Sequence, residues 1–251
     1  MRFFVLGAND PEMREIANVL KAAGEQFVYA RYRGAVVRPN QAYRADGTSE
    51  PLPKGAQVVT VECRVQGLAP VQAIDHHNPG DAGFDCGPEQ YLQGSSLGQL
   101  LTLMGKTPTA EQRIICAADH SPTQAYRGLC PGVLPEDLFN WRAQNKAASW
   151  GISVQEFHAR VEAAHQELLA AERIDVAGTA VAWLPEANDY TPEASARYDI
   201  PFIYKRQERD GRVKVGLLGA PAEAISTYMR ECGLLDVYGN PSRGYAGGYL
   251  A

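Results

Sequence analysis

Apolar runs of strand length alternate with stretches of helical period along the first half of the chain. Arg2 to Leu6 is a nearly unbroken apolar run closing on Gly7-Ala8-Asn9-Asp10, the pattern of a strand buried on both faces. Pro11 follows where a first-turn proline is tolerated, and Asp10 offers an N-cap. Met13, Ile16, Ala17 and Leu20 then keep helical spacing up to Gly24. Phe27 to Tyr32 reads as a second strand. Strand, helix and strand in about thirty residues predict a parallel unit. Ala56 to Cys63 is rich in β-branched residues, and Val71 to Ile74 is a shorter apolar run; both read as further strands.

Helical patterns follow. Ser95 to Met104 has a serine start and Gly105 at its end, and Glu111 to Ala118 closes on Asp119-His120. A helix is expected around Pro135 to Lys146. Ser153-Val-Gln-Glu156 is a capping box opening a helix with Val154, Phe157, Val161, Ala164 and Leu168 on one stripe. His158 and His165 on its flank read as surface residues. After Arg173 the texture changes. Val176 to Leu184, Ile200 to Lys205 and Arg212 to Leu217 read as strands, the last two joined by Arg209-Asp210-Gly211. Pro221 starts a last helix that ends at Gly233, before a glycine-rich tail over 239–249. The order predicts an α/β fold. A parallel-sheet N-terminal domain is expected over 1–150, a connecting helix over 151–173 and a smaller α+β C-terminal domain over 174–251, with the cleft between the domains as the default site.

Composition narrows the partners. The 251 residues carry a net charge of −5, which argues against capture of duplex nucleic acid by a basic face. A small phosphorylated ligand stays open, because a bound metal supplies local positive charge. The five cysteines show no CxxC spacing and read as reduced thiols of a cytoplasmic protein. No apolar run is long enough to cross a membrane, and the apolar start is too short for a secretory signal. A homo-oligomer is compatible with all of this.

Chemistry concentrates where apolar runs end. Asp75-His76-His77 follows the Val71 to Ile74 run, and Asn78-Pro79-Gly80 turns the chain sharply after it. Two of the five histidines thus sit side by side, and a carboxylate with two imidazoles suits a divalent metal and an anion bound to it. Glu62 ends the third predicted strand, where open α/β sheets bind ligands. Asp119-His120 repeats the pairing of acid and histidine. Arg33, Arg38 and Arg44 in the polar connection 33–55, with Arg31 just before it, offer cations to an anion. Arg243, with Gly244, Gly247 and Gly248, offers a phosphate grip with close backbone approach.

These residues resemble the DHH phosphoesterases, two-lobed hydrolases that include manganese pyrophosphatases, exopolyphosphatases and enzymes cutting short oligonucleotides or cyclic dinucleotides. The defining triplet is Asp75-His76-His77; Glu62 stands where the family has a bridging aspartate; Ala117-Ala118-Asp119 matches its later aspartate. Ser242 to Gly248 resembles its phosphate-binding segment. The family's first strand ends in His-x-x-Pro-Asp-x-Asp; here Ala8 replaces the histidine, Glu12 and Arg14 the two aspartates, and Pro11 is kept. The resemblance implies one Mn²⁺ or Mg²⁺ rather than two, held by Glu62, His76, Asp119 and Glu12. His77, Asp75 and Arg14 form the implied catalytic set, with Arg14 as a fixed charge in place of the second ion. Arg243, Gly244, Gly247 and Gly248 would bind substrate. Two functions follow as expectations: hydrolysis of a nucleotide, short oligonucleotide or pyrophosphate-like compound, or binding of a phosphate ligand without cleavage.

Overall fold

A computed structural model describes residues 2–208 and 210–251. The chain is mixed α/β and divides into two compact units, 1–120 and 121–251.

The first unit runs β1 (Arg2–Leu6), α1 (Pro11–Ala22), β2 (Gln26–Tyr32), β3 (Ala35–Val36), β4 (Gly47–Thr48), β5 (Gln57–Val61), β6 (Gln72–Ile74), α2 (Tyr91–Gly94), α3 (Ser96–Leu103) and α4 (Ala110–His120). Its sheet has the order β3-β2-β1-β5-β6, with β4 also paired to β2. β2, β1, β5 and β6 are parallel. The chain leaves β1 for β2 on one side and later returns to β5 on the other. That reversal makes a switch point at the C-terminal ends of β1 and β5, where open α/β sheets place their ligands. Phe3, Val5, Val28 and Val58 pack with Val37, Ala42, Tyr43 and Leu68 of the connections, so irregular chain covers this face. Alternation sends Phe4 and Leu6 to the other face. α1, α3 and α4 pack on one another, burying Met13, Ile16, Leu20, Leu97, Leu100 and Leu101.

The second unit runs α5 (Pro122–Tyr126), α6 (Pro135–Trp150), α7 (Val154–Ala170), β7 (Glu172–Val176), β8 (Thr179–Trp183), α8 (Thr191–Tyr198), β9 (Phe202–Gln207), β10 (Val213–Leu218), α9 (Ala222–Glu231), β11 (Leu235–Asn240) and β12 (Tyr245–Tyr249). Its sheet order is β11-β12-β10-β9-β8-β7, antiparallel except between β8 and β9. Val181, Ile203, Leu217, Ile225 and Ala246 form its core.

Three expectations shift here. The division falls at His120–Ser121, so α5, α6 and α7 lie in the second unit, which is slightly the longer. The partner of α5 and α6 is buried Glu193 of α8, which Arg142 of α6 grips through both carboxylate oxygens and to which Tyr126 of α5 donates a short hydrogen bond. The strand expected from Val176 begins instead as a hairpin. Ala177 and Gly178 both take positive φ (51° and 78°), the two-residue turn whose twist suits adjacent strands. His158 and His165 are half-buried rather than at the surface, because each ring stacks on an aromatic, Phe139 and Tyr198 respectively. β9 and β10 pair as expected across the Asp210–Gly211 turn; Arg209 lies outside the described residues. Among those described, no helix is long and apolar enough to cross a membrane.

Candidate metal centre

Four chain segments end at the switch point, and each carries at least one acid or histidine. Asp10 caps α1, its Oδ1 accepting from the Met13 N–H at 2.7 Å. Pro11 and this cap start the helix so that Glu12 falls in its first turn, facing inward and only 2% exposed. Glu12 Oε1 accepts the Leu97 N–H at 2.9 Å, in the first turn of α3, where the helix dipole favours a negative charge. Ser95 caps α3 by accepting from the Gly98 N–H. Glu62 follows β5 with φ +48°, a left-handed conformation uncommon outside glycine. Its carboxylate is buried, and its backbone N–H still donates to the Ile74 carbonyl at 3.0 Å. The strand therefore stops at Val61, and Glu62 turns off the strand direction instead of extending it. Asp119 comes from the last turn of α4.

These residues converge. One ligand atom each from Glu12, Glu62, His76 and Asp119 lie within 4.8 Å of one another, and Glu62, His76 and His77 form a second such group. His76 is fully buried. Its Nε2 is 2.9 Å from Asp119 Oδ2 and 3.5 Å from Glu62 Oε1. On its other side Nδ1 stands 2.9 Å from Nδ1 of His120, whose Nε2 is 2.9 Å from the Cys86 carbonyl oxygen. A carbonyl only accepts, so His120 carries its hydrogen on Nε2 and accepts through Nδ1. His76 must then donate from Nδ1, which turns the Nε2 lone pair of its neutral form toward the acids. That is the tautomer a metal ligand needs. The His120 ring has room because residue 94 is glycine: a Cβ there would sit 2.4 Å from the ring.

Electrostatics in the metal-free protein are correspondingly tense. Burial, then the charges of Glu62 and Asp119, push Asp10 up to about 7. Burial, then Asp119 and Glu62, raise Glu12 well above the carboxylate range. Burial disfavours a charged His76, but Asp119 and Glu62 outweigh it and lift the group to about 9. Two buried carboxylate oxygens, Glu12 Oε2 and Glu62 Oε1, accept no hydrogen bond. Clustered acids, a histidine presenting Nε2 and oxygens left without donors fit a hard divalent cation.

Asp75 does not join that ligand group. Its Oδ1 accepts from the backbone N–H groups of His76 and His77, from His77 Nδ1 at 3.0 Å and from the Tyr43 hydroxyl at 3.1 Å. Burial alone would raise its pKa, but the His77 hydrogen bonds win and hold it low. Asp75 thus shapes the turn and aims His77, which stays open to solvent at 44% side-chain exposure beside the His76 ring.

Arg14 is not part of this centre. It lies about 200° round α1 from Glu12 and is exposed, so the helix that presents the acid turns the arginine away. Gly247 and Gly248 are not open to a ligand either. A Cβ on Gly247 would strike the Tyr238 ring, and one on Gly248 would strike Leu234, so these glycines make room for neighbours in the sheet. Gly244, with φ +74°, ends a short turn, and half-buried Arg243 lies over the Tyr245 ring; both belong to the second unit. Sequence reasoning missed three participants. Asp10 was visible only as a cap, His120 only as the neighbour of Asp119, and Tyr43 lay in a connection without periodicity.

No family profile and no curated protein matches the sequence. Among solved structures, a pGpG-specific phosphodiesterase, PggH, from Vibrio cholerae aligns over 100% of this chain and 93% of its own, at 10% identity and a TM-score of 0.46. A likeness of that size leaves the functional reading to the geometry of the centre.

Proposed function

We propose that this chain is a divalent-metal-dependent phosphoesterase of the DHH type, hydrolysing a small phosphate-containing substrate such as a nucleotide, a short oligonucleotide or a pyrophosphate-like compound. Glu12, Glu62, His76 and Asp119 would hold one Mn²⁺ or Mg²⁺. The observation that supports this most is their convergence within 4.8 Å, with two buried oxygens lacking donors. When bound, such an ion supplies polarisation of a phosphate oxygen and activation of water at neutral pH. The chain's own residues do the rest. Asp75 anchors His77 through Nδ1, leaving the exposed edge of that ring to donate a proton to a phosphate oxygen. Tyr43 steadies Asp75 from the other side. His120 holds the His76 ring in register with the acids.

Protein purified without chelator should carry about one equivalent of divalent metal. Glu62→Gln and His76→Ala should each lose that metal, together with hydrolysis of pyrophosphate, a short oligonucleotide or a cyclic dinucleotide. Wild-type protein that turns over none of these with Mn²⁺ or Mg²⁺ would sink the reading. One observation favours a second one, a protein that binds such ligands without cutting them: buried Ala8 supplies no donor, and Arg14 points away. Thermal stabilisation by ligand without turnover would mark that outcome.

A further inference from the structure

Beside the centre, on the same unit, two arginines line one groove. Residues 42–45 and 64–66 are far apart in sequence but joined by backbone hydrogen bonds, Arg64 N–H to the Ala42 carbonyl at 3.1 Å and Gln66 N–H to the Ala45 carbonyl at 2.8 Å. Ala45 and Val65 form a parallel bridge between them. The pairing builds a groove of about 350 Å³ lined by Tyr43, Arg44, Arg64 and Gln66, within the size range of small-molecule sites. Arg64 also borders an adjoining pocket of about 280 Å³ that reaches Asp75.

Several arginines elsewhere in the chain are paired closely: Arg142 with Glu193, Arg160 with Glu156, Arg206 with Glu208 and Arg212 with Asp210. In the groove, the Arg64 side chain is 68% exposed and its ion pair with Asp81 is long, at 3.9 Å. Among the described residues no carboxylate pairs with Arg44. Two like charges held on one groove by a fixed backbone repel each other unless an anion comes between. The protein carries more acids than bases, so the absence of a carboxylate at Arg44 does not reflect a shortage of them.

The groove also touches the machinery. Its Tyr43 wall donates to Asp75, the residue that anchors His77, and the Tyr43 and His77 rings are 6.3 Å apart. Arg64 lies over the Tyr43 ring, 5.9 Å from its centre. An anion bound by the arginines would therefore lie beside Tyr43, the side chain that donates to Asp75.

We infer that this groove binds a phosphate monoester group of the substrate, distinct from the phosphate being cleaved, through Arg44 and Arg64. The inference rests on the proposed phosphoesterase reading and narrows it: the substrate class is a compound with at least two phosphates, one at the acidic centre and one in the groove.

The test uses adenosine 5′-monophosphate as probe on the full chain, titrated calorimetrically in excess EDTA so that no metal contributes. Wild-type protein should bind it, the Arg44→Ala/Arg64→Ala double variant should bind at least tenfold more weakly, and Arg33→Ala should match wild type. No binding by wild type, full binding by the double variant, or an equal loss in Arg33→Ala (which would mark an unspecific charge effect) each overturns the groove. Unchanged thermal unfolding of the variants checks that they are folded. Metal titration of the same proteins separates the two ideas. If Mn²⁺ binds and AMP in EDTA does not, the centre stands and the groove falls; if the reverse holds, the groove stands and the centre falls.

Discussion

His76 and His120 face each other through Nδ1 atoms 2.9 Å apart, and the Cys86 carbonyl decides which of them gives the hydrogen. Removing His120 leaves His76 free to rotate or change tautomer inside a fully buried site. His120→Asn should therefore weaken Mn²⁺ binding by about 10–100-fold, the usual cost of losing an outer partner of a ligating histidine, while the protein still folds. Titration followed by electron paramagnetic resonance reads the affinity. Nitrogen-15 spectra of the wild-type imidazoles give an independent check: hydrogens on His120 Nε2 and His76 Nδ1 are expected, and the opposite tautomers would refute the arrangement. At this scale the sequence was only partly legible. Glu62, His76 and Asp119 declared themselves as acids or histidines at the ends of apolar or helical runs, and Glu12 was reached only through its motif position. Arg14 did not: matching it to a motif position ignores that two residues' separation on a helix reverses the face. Gly247 and Gly248 misled for a related reason. A glycine that admits a ligand and one that admits a neighbouring Tyr238 look the same in one dimension.

The centre is a product of how elements end. Parallel strands β1, β5 and β6 stop in step at one edge of the sheet, so loops leaving them deliver Asp10, Glu62 and the Asp75-His76-His77 turn to one place. α3 adds its N-terminus and α4 its last turn. Ser95 links helix stability to the site, because the turn it caps also receives Glu12. Ser95→Ala should lower stability by about 1–2 kcal/mol, as lost N-caps do, in urea unfolding of metal-free protein. A cost near zero would mean that the Glu12 contact alone holds the start of α3. Most of these elements were readable, since the apolar runs and the Ser95 and Ser153 caps are local signals. The β7–β8 hairpin was not, because Ala177 gives no hint of its positive φ. The grouping of α5 and α6 was not either, because the Glu193 network that gathers them joins residues far apart in sequence.

For the molecule as a whole, the crowded acids tie stability to pH. Asp10 rises from an ordinary 3.8 to about 7 and His76 from 6.5 to about 9, so the folded state binds protons more tightly than the unfolded one. Their contribution is full below the ordinary values and is lost as pH rises through the folded ones. Asp75, held low, acts oppositely but only below about 4. Metal-free protein in EDTA should therefore melt at progressively lower temperature from pH 5 to pH 9. A cation needs the same groups deprotonated, so the rise in melting temperature caused by Mn²⁺ should grow over that interval. A melting temperature in EDTA that is flat or climbs with pH would contradict the assignment of these groups.

Glu62 carries one more consequence. A left-handed backbone at a non-glycine residue costs roughly 1–2 kcal/mol, so the substitution that would most relieve this position, Glu62→Gly, is also one that deletes a carboxylate from the centre. Durability and chemistry make opposite demands on a single residue. A search for hardier variants that reads out only resistance to heat, with no metal present, would be drawn toward losing the centre at Glu62 first.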